Sequence, residues 1–247
     1  MGHAHVSEHE EELLQANLSF YDPLWKKSRL VPADRFNTWP LVQSLLAQPQ
    51  ARLEVGPGLR PRLPLQGTCF VEASQPAVDT LRQHGARAEV GLISSIPFAD
   101  AAFDLVAALD IVEHVEDDDA ALAELSRVAA PRAMAILSAP LHPTRWTRFD
   151  DLVGHRRRYE PLDLVSKLAR HGWSVEGTAV YGMQPRSSLL LDFAVWGLTH
   201  RRESAIWWYD RVALRLVARF QQKLVVVPGM MDVTNVDEVL LVCRKAP

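Results

Sequence analysis

Two spacings of apolar residues alternate along this chain. Short, nearly continuous apolar runs bounded by turn residues recur at 52–55, 68–72, 87–90, 103–109, 132–138, 174–181 and 237–244. Such runs predict strands buried on both faces. Apolar residues at three- and four-residue intervals predict helices over 75–84, 117–129 and 161–171. The run from Phe103 to Leu109 is apolar apart from Asp104. The helix after it opens on Asp117, Asp118 and Asp119, which complement the positive end of its dipole. Alternation of this kind predicts an α/β fold, a doubly wound and mostly parallel sheet with helices on both faces.

Two segments stand outside the alternation. Residues 1–12 are polar and acidic and are expected to fray, whereas 13–48 carry helical spacing and an aromatic series of Phe20, Tyr21, Trp25, Phe36 and Trp39. These aromatics anchor the segment on the core or close over a site; Tyr21 and Arg35 are the residues to test for the second role. Residues 183–230 read as helical and rich in tryptophan, with Trp196, Trp207 and Trp208 among interleaved arginines. Three roles stay open there: a wall for a bulky apolar ligand, a peripheral membrane contact, or a hairpin packed on the sheet or on a second subunit.

Composition narrows the class. At 247 residues, 48% hydrophobic and 23% charged, the chain suits one large globular domain over 1–247. A net charge of −3 leaves no overall nucleic-acid footprint. Cys69 and Cys243 fall on predicted buried strands and are expected to fill core space unpaired. With no apolar stretch long enough to span a membrane and a polar start, the expected location is cytoplasmic.

The most specific local signal is Leu53-Glu54-Val55-Gly56-Pro57-Gly58, a buried strand ending in a Gly-x-Gly turn. Sixteen residues after Gly56, Glu72 closes the next strand. A glycine turn followed by an acid at the tip of the next strand is how an open α/β sheet holds an adenosine. The dinucleotide fingerprint needs a third glycine, and Pro61 stands in its place, followed by Arg62 and Pro64. The first crossover should therefore be short and partly non-helical. An adenosine ligand without a pyrophosphate fits better than a dinucleotide.

Further along come Ile96-Pro97-Phe98, Asp100, Phe103-Asp104 and Glu113-His114-Val115. Together with the glycine turn and Glu72, this ordered series resembles the class I S-adenosylmethionine (SAM) dependent methyltransferases over residues 50–180, and loosely at 236–245. Gly-His-x-Arg-Arg-Tyr at 154–159 resembles a bacterial subgroup of them. The resemblance implies a Rossmann-like sheet of seven strands with the last antiparallel, an N-terminal lid over 1–48, and an insertion at 183–230 between strands six and seven. It implies SAM as cofactor, S-adenosyl-L-homocysteine as product, and a small-molecule acceptor methylated at oxygen or nitrogen. Cofactor contacts are then expected from Glu54, Gly56, Pro57, Gly58, Glu72, Ala73, Ser74, Leu92, Ile93, Asp110 and Ile111. One departure is the lack of an acid at the third strand's end, where Leu92 and Ile93 stand beside Ser94 and Ser95.

The rim supplies the candidates for chemistry. His114, His155 and Tyr159 are candidate proton-moving or orienting groups. Asp110-x-x-Glu113-His114 also resembles the divalent-ion site of ubiquinone-pathway O-methyltransferases; no fourth ligand is identifiable, and no metal is assigned. Arg156, Arg157 and Arg158 clamp an anionic, partly apolar acceptor, or Arg157 or Arg158 pairs with a carboxylate such as Asp150 or Asp151 to fix the loop. Two other functions remain: a fold-retaining binding module without turnover, and a nicotinamide oxidoreductase, which Pro61 opposes. Oligomeric state stays open.

Overall fold

The computed structural model describes residues 8–47, 50–182, 196–197, 199–208 and 223–247. The strands are β1 (Arg52–Val55), β2 (Thr68–Glu72), β3 (Arg87–Val90), β4 (Phe103–Ala108), β5 (Ala129–Pro140), β6 (Trp173–Val180), β7 (Val227–Pro228) and β8 (Glu238–Lys245). The helices are α1 (Glu8–Lys27), α2 (Trp39–Leu45), α3 (Gln75–Gln83), α4 (Asp118–Val128), α5 (Arg148–Val153), α6 (Pro161–Arg170) and α7 (Arg202–Trp208).

The strands form one sheet in the order β3-β2-β1-β4-β5-β8-β6-β7. Pairings among β1 to β5 are parallel, and β8 runs antiparallel between β5 and β6. This is the expected Rossmann-like sheet with its antiparallel last strand. Among the described residues the count is eight rather than seven, because Val227–Pro228 pairs antiparallel with Gly177 and Thr178. A two-residue strand containing proline suits that place, since an edge strand needs few amides. No sequence period marks so short an element.

The core follows from alternation along the strands. On β4, Val106 and Ala108 face one side, with Leu122, Leu125 and Trp173 in the same cluster. Leu105 and Ala107 face the other, with Val42 and Ile136. A third cluster joins Phe70, Val78 and Leu81 to Trp25 of α1. Truncating a fully buried leucine such as Leu105 to alanine would cost about 2–5 kcal/mol. Cys69 and Cys243 are both unpaired, and burial pushes the Cys243 thiol up to about 12.

Two local outcomes matter for the site. No helix forms between β1 and β2, as the prolines required; buried Leu59 and Leu63 pin this crossover instead. Residues 8–12, expected to fray, belong to α1. Most of the 183–230 insertion, including Leu189–Leu191, Phe193 and the arginines Arg211, Arg215 and Arg219, lies outside the described residues. Within what is described, α7 lies against α1, and Trp196, Trp207 and Trp208 are exposed. No described helix is long and apolar enough to cross a membrane.

Candidate active site

From β1 the chain runs outward through β2 to β3, then crosses back to β4 and β5 on the other side. The crevice at that reversal, beyond the C-terminal strand ends, is where open α/β sheets bind ligands. A cavity of about 300 Å³ lies there, walled by Gly56–Gly58, Glu72–Ser74, Gly91–Ser94 and Leu109–Ile111. Every residue expected to touch a cofactor lines it, including Glu54.

The glycine turn works through its backbone. Gly56 and Gly58 have φ of +69° and +52°, which side-chain-bearing residues rarely adopt. A Cβ at Gly56 would stand 2.7 Å from Ile111, and one at Gly58 would enter the Trp25 ring. Glu72 ties the turn to the next strand: Oε2 accepts from the Gly58 N–H at 2.8 Å and Oε1 from the Ser74 N–H at 2.9 Å. The Ala73 amide bonds to it as well; a carboxylate offers about four lone-pair positions, so capacity remains for a hydroxyl of a ligand. Burial raises the Glu72 pKa above the usual carboxylate range.

Glu54 has a different set of partners. Its carboxylate accepts from the Arg62 and Leu63 amides at 2.8 Å each, anchoring the non-helical crossover. Burial pushes its pKa up to about 7. Arg62 in turn donates to the Tyr181 hydroxyl at 3.0 Å and stacks 3.7 Å over the Phe36 ring. Nothing in the sequence spacing pointed to Arg62 and Tyr181, which are 119 residues apart.

Helix α1 closes one side of the cavity. Asn17, Leu18, Tyr21 and Trp25 line it, and Tyr21 stacks on Trp25 at 5.9 Å. The Ser74 hydroxyl lies 2.6 Å from Asp22, joining α1 to the end of β2. Arg35, the other expected lid contact, is exposed beside Asp34 and lies outside the lining. Asn17, Leu18 and Asp22 were missed because nothing distinguishes them from other polar and apolar positions of an amphipathic helix.

The opposite rim joins the loop after β4 to the loop after β5. The Arg156 N–H donates to the Glu113 carbonyl at 2.8 Å. Asp150 is fully buried and accepts from Arg158 Nε at 2.9 Å and Nη2 at 3.0 Å, with His155 Nδ1 at 2.8 Å. Burial opposes its charge, but the bonds from His155, Arg158 and Thr147 hold it well below the usual carboxylate range. Arg157 pairs with Asp118 at 2.9 Å and donates to the Val115 and Glu116 carbonyls. Two of the three arginines therefore fix the rim itself, leaving exposed Arg156.

The three candidate catalytic residues occupy different places. His114 lines the cavity, edge-on to Tyr21 at 6.0 Å. Burial, then neighbouring His155, lowers its pKa to about 3, so the imidazole is neutral at physiological pH and a weak proton acceptor. His155 packs behind it, ring centroids 4.7 Å apart. Tyr159 is buried off the lining, its hydroxyl donating to Asp118 at 2.8 Å. Asp118 also accepts from Lys167 at 2.7 Å, so it does more than open α4; Asp117 is the N-cap, accepting from the Ala120 N–H. Asp110 turns at φ +55°, and its N–H donates to the Ser138 hydroxyl at 2.8 Å.

Comparison with known proteins bears on this cavity. Residues 55–137 match the family described as a methyltransferase domain. A 54-residue stretch is 37% identical to norajmaline N-methyltransferase of Rauvolfia serpentina, covering 22% of this chain. The matched stretch spans only 18% of that relative's length. A SAM-dependent methyltransferase from Thermotoga maritima, described as a possible histamine N-methyltransferase, superposes with a TM-score of 0.57 at 14% identity, covering 97% of this chain and 95% of its own. A candidate sarcosine dimethylglycine methyltransferase from Galdieria sulphuraria gives 0.56 at 14% identity, covering 96% and 98%. At such identity the two structures establish the fold, that of SAM-dependent methyltransferases.

Proposed function

We propose that the protein transfers a methyl group from SAM to a small, partly apolar acceptor at oxygen or nitrogen. The observation that carries this is convergence: the glycine turn, Glu72, Leu92, Ile93, Asp110 and Ile111, dispersed over 56 residues, line a single cavity at the sheet's reversal point. The methyltransferase-domain match covers the same stretch.

SAM supplies an activated sulfonium methyl group, so the protein's share is to bind, orient and exclude water. The residues present fit it. About 300 Å³ is at the lower end of small-molecule cavities. The remaining Glu72 capacity suits a ribose hydroxyl, and the Gly56–Gly58 backbone suits close approach of the amino-acid part. Leu92 and Ile93 offer the adenine an apolar wall. Tyr21 and Trp25 of α1 cover one side of the cavity.

We assign the acceptor to Leu18, Tyr21, His114 and Val115, with Asn17 and Glu116 beside them. These walls mix apolar and polar surface, which suits a partly apolar acceptor. An anionic acceptor draws no support from Arg157 and Arg158, which are paired within the rim. The weak basicity of His114 suits an acceptor reacting through an existing lone pair, as amines do, and the relatives named above include two described as N-methyltransferases.

Calorimetry with SAM and S-adenosyl-L-homocysteine, with NAD as control, tests the donor half. Micromolar binding of both, weakened at least tenfold in Glu72→Gln, is expected. NAD binding without SAM binding would overturn it. Cofactor affinity without turnover across amines and phenols would leave a binding module.

A further inference from the structure

Three side chains that the donor site does not use meet where the two rim loops touch. One carboxylate oxygen of Glu113 and one ring nitrogen each of His114 and His155 lie within 4.8 Å of one another. His155 Nε2 is 3.8 Å from Glu113 Oε1.

Their unused bonding capacity sets them apart from an ordinary polar cluster. Glu113 is 1% exposed, yet its Oε2 has no hydrogen-bond partner. His114 Nδ1 is likewise buried without one. Buried polar atoms are nearly always satisfied, so two unsatisfied ones in one cluster call for a partner that binds there. His155 is oriented by a second carboxylate: Nδ1 lies 2.8 Å from Asp150, itself held by Arg158. An acceptor at Nδ1 puts the ring proton there and turns the Nε2 lone pair towards Glu113. The outer carboxylate behind an imidazole is the arrangement that aligns histidine ligands on metals.

We propose that Glu113, His114 and His155 form a binding site for one divalent cation of the zinc type, with Asp150 as the outer carboxylate on His155. Two imidazoles and a carboxylate suit zinc and its first-row neighbours; magnesium and calcium select oxygen donors. Ligand bonds of about 2.0–2.2 Å require the three atoms to close to roughly 3.5 Å. The Glu113–His155 pair is within a few tenths of that already, and binding has to draw in the His114 nitrogen, which lies within 4.8 Å of the other two. Asp110 is outside the set, because its carboxylate is engaged by the Ser138 hydroxyl. Three protein ligands leave a fourth position open. Since His114 lines the cavity, that position faces the acceptor side, where it takes water or an acceptor oxygen. Metal binding is a property of these residues whether or not methyl transfer is the reaction.

The test uses full-length protein stripped by chelator dialysis and titrated with Zn²⁺ against a chromophoric competitor, with Mg²⁺ in parallel. One equivalent of Zn²⁺ should bind with a Kd of 1 µM or tighter and Mg²⁺ should not compete. Glu113→Gln, which keeps the side chain's shape, should weaken Zn²⁺ at least tenfold, and His155→Ala at least a hundredfold. His84→Ala, at an exposed histidine that caps the C-terminal end of α3, should leave it unchanged. Bound Co²⁺ should show visible bands of four- or five-coordination. Zn²⁺ at a hundredfold over the wild-type Kd should raise the melting temperature of the wild type more than that of Glu113→Gln. Zn²⁺ binding weaker than 100 µM, or equal binding by wild type and Glu113→Gln, overturns the site.

Discussion

The two walls of the cavity are built by different physics. The donor wall, Glu54 to Ser74, is made of backbone: positive-φ glycines, amides bonded to Glu72 and Glu54, and a crossover too proline-rich for a helix. Its partners are close in sequence; Glu72 reaches Gly58 across 14 residues and Glu54 reaches Leu63 across 9. The rim wall, Glu113 to Asp118 with Leu141 to Tyr159, is made of side-chain charge. Asp150 and Arg158 form a buried pair, and Asp118 gathers Arg157, Tyr159 and Lys167 across 39 to 49 residues. A backbone cradle tolerates little change in shape, whereas a buried charge network tolerates little change in charge.

That contrast is broken most severely at Asp150. Asp150→Asn leaves the buried Arg158 without a counter-charge, and loss of stability of about 3–5 kcal/mol is expected in urea unfolding. An effect under 1 kcal/mol would mean that the rim is not held by charge.

Gly58→Ala tests the opposite wall. Its new Cβ meets the Trp25 ring at a φ of +52°, so SAM affinity by calorimetry should fall more than tenfold, with about 1–3 kcal/mol lost in unfolding. Restoration of affinity by a further Trp25→Ala change would show that the clash, rather than the φ, dominates.

Glu54 sharpens the comparison through pH. Its folded pKa of about 7 lies above the unfolded carboxylate value, so the folded state holds the extra proton between roughly pH 4.5 and 7. Its contribution to stability is complete below that window and lost as pH rises through it. Going from pH 5 to pH 8, the wild type should lose on the order of 2 kcal/mol relative to Glu54→Gln, measured by chemical unfolding. A pH-independent difference would place an ionised Glu54 in the folded state throughout.

The smallest effect is expected at the contact of α1 with the donor wall. Ser74→Ala removes the hydrogen bond with Asp22 and should cost about 1 kcal/mol, with a few-fold weaker SAM affinity. A larger loss of affinity than of stability would identify α1 as a cover that closes on the cofactor.

The amino-acid sequence by itself determined the sheet, because buried parallel strands need continuous apolar runs and the runs were there to count. It also marked the donor wall, because positive-φ glycines, prolines and a strand-end acid are local demands written in neighbouring residues. Only the tertiary structure decided the rest. The two-residue β7 exists because an edge of β6 was available, and no period could announce it. Glu54 proved to be tied to Arg62 and Leu63, and Tyr159 to Asp118, contacts set by loop path rather than residue type. Arg157 and Arg158 read equally as an anion clamp or as internal partners until the rim loops were placed side by side. The meeting of Glu113 and His114 with His155 belongs to the same class: imidazole and carboxylate spacing along a chain carries no distance, and packing of the two loops after β4 and β5 supplies it.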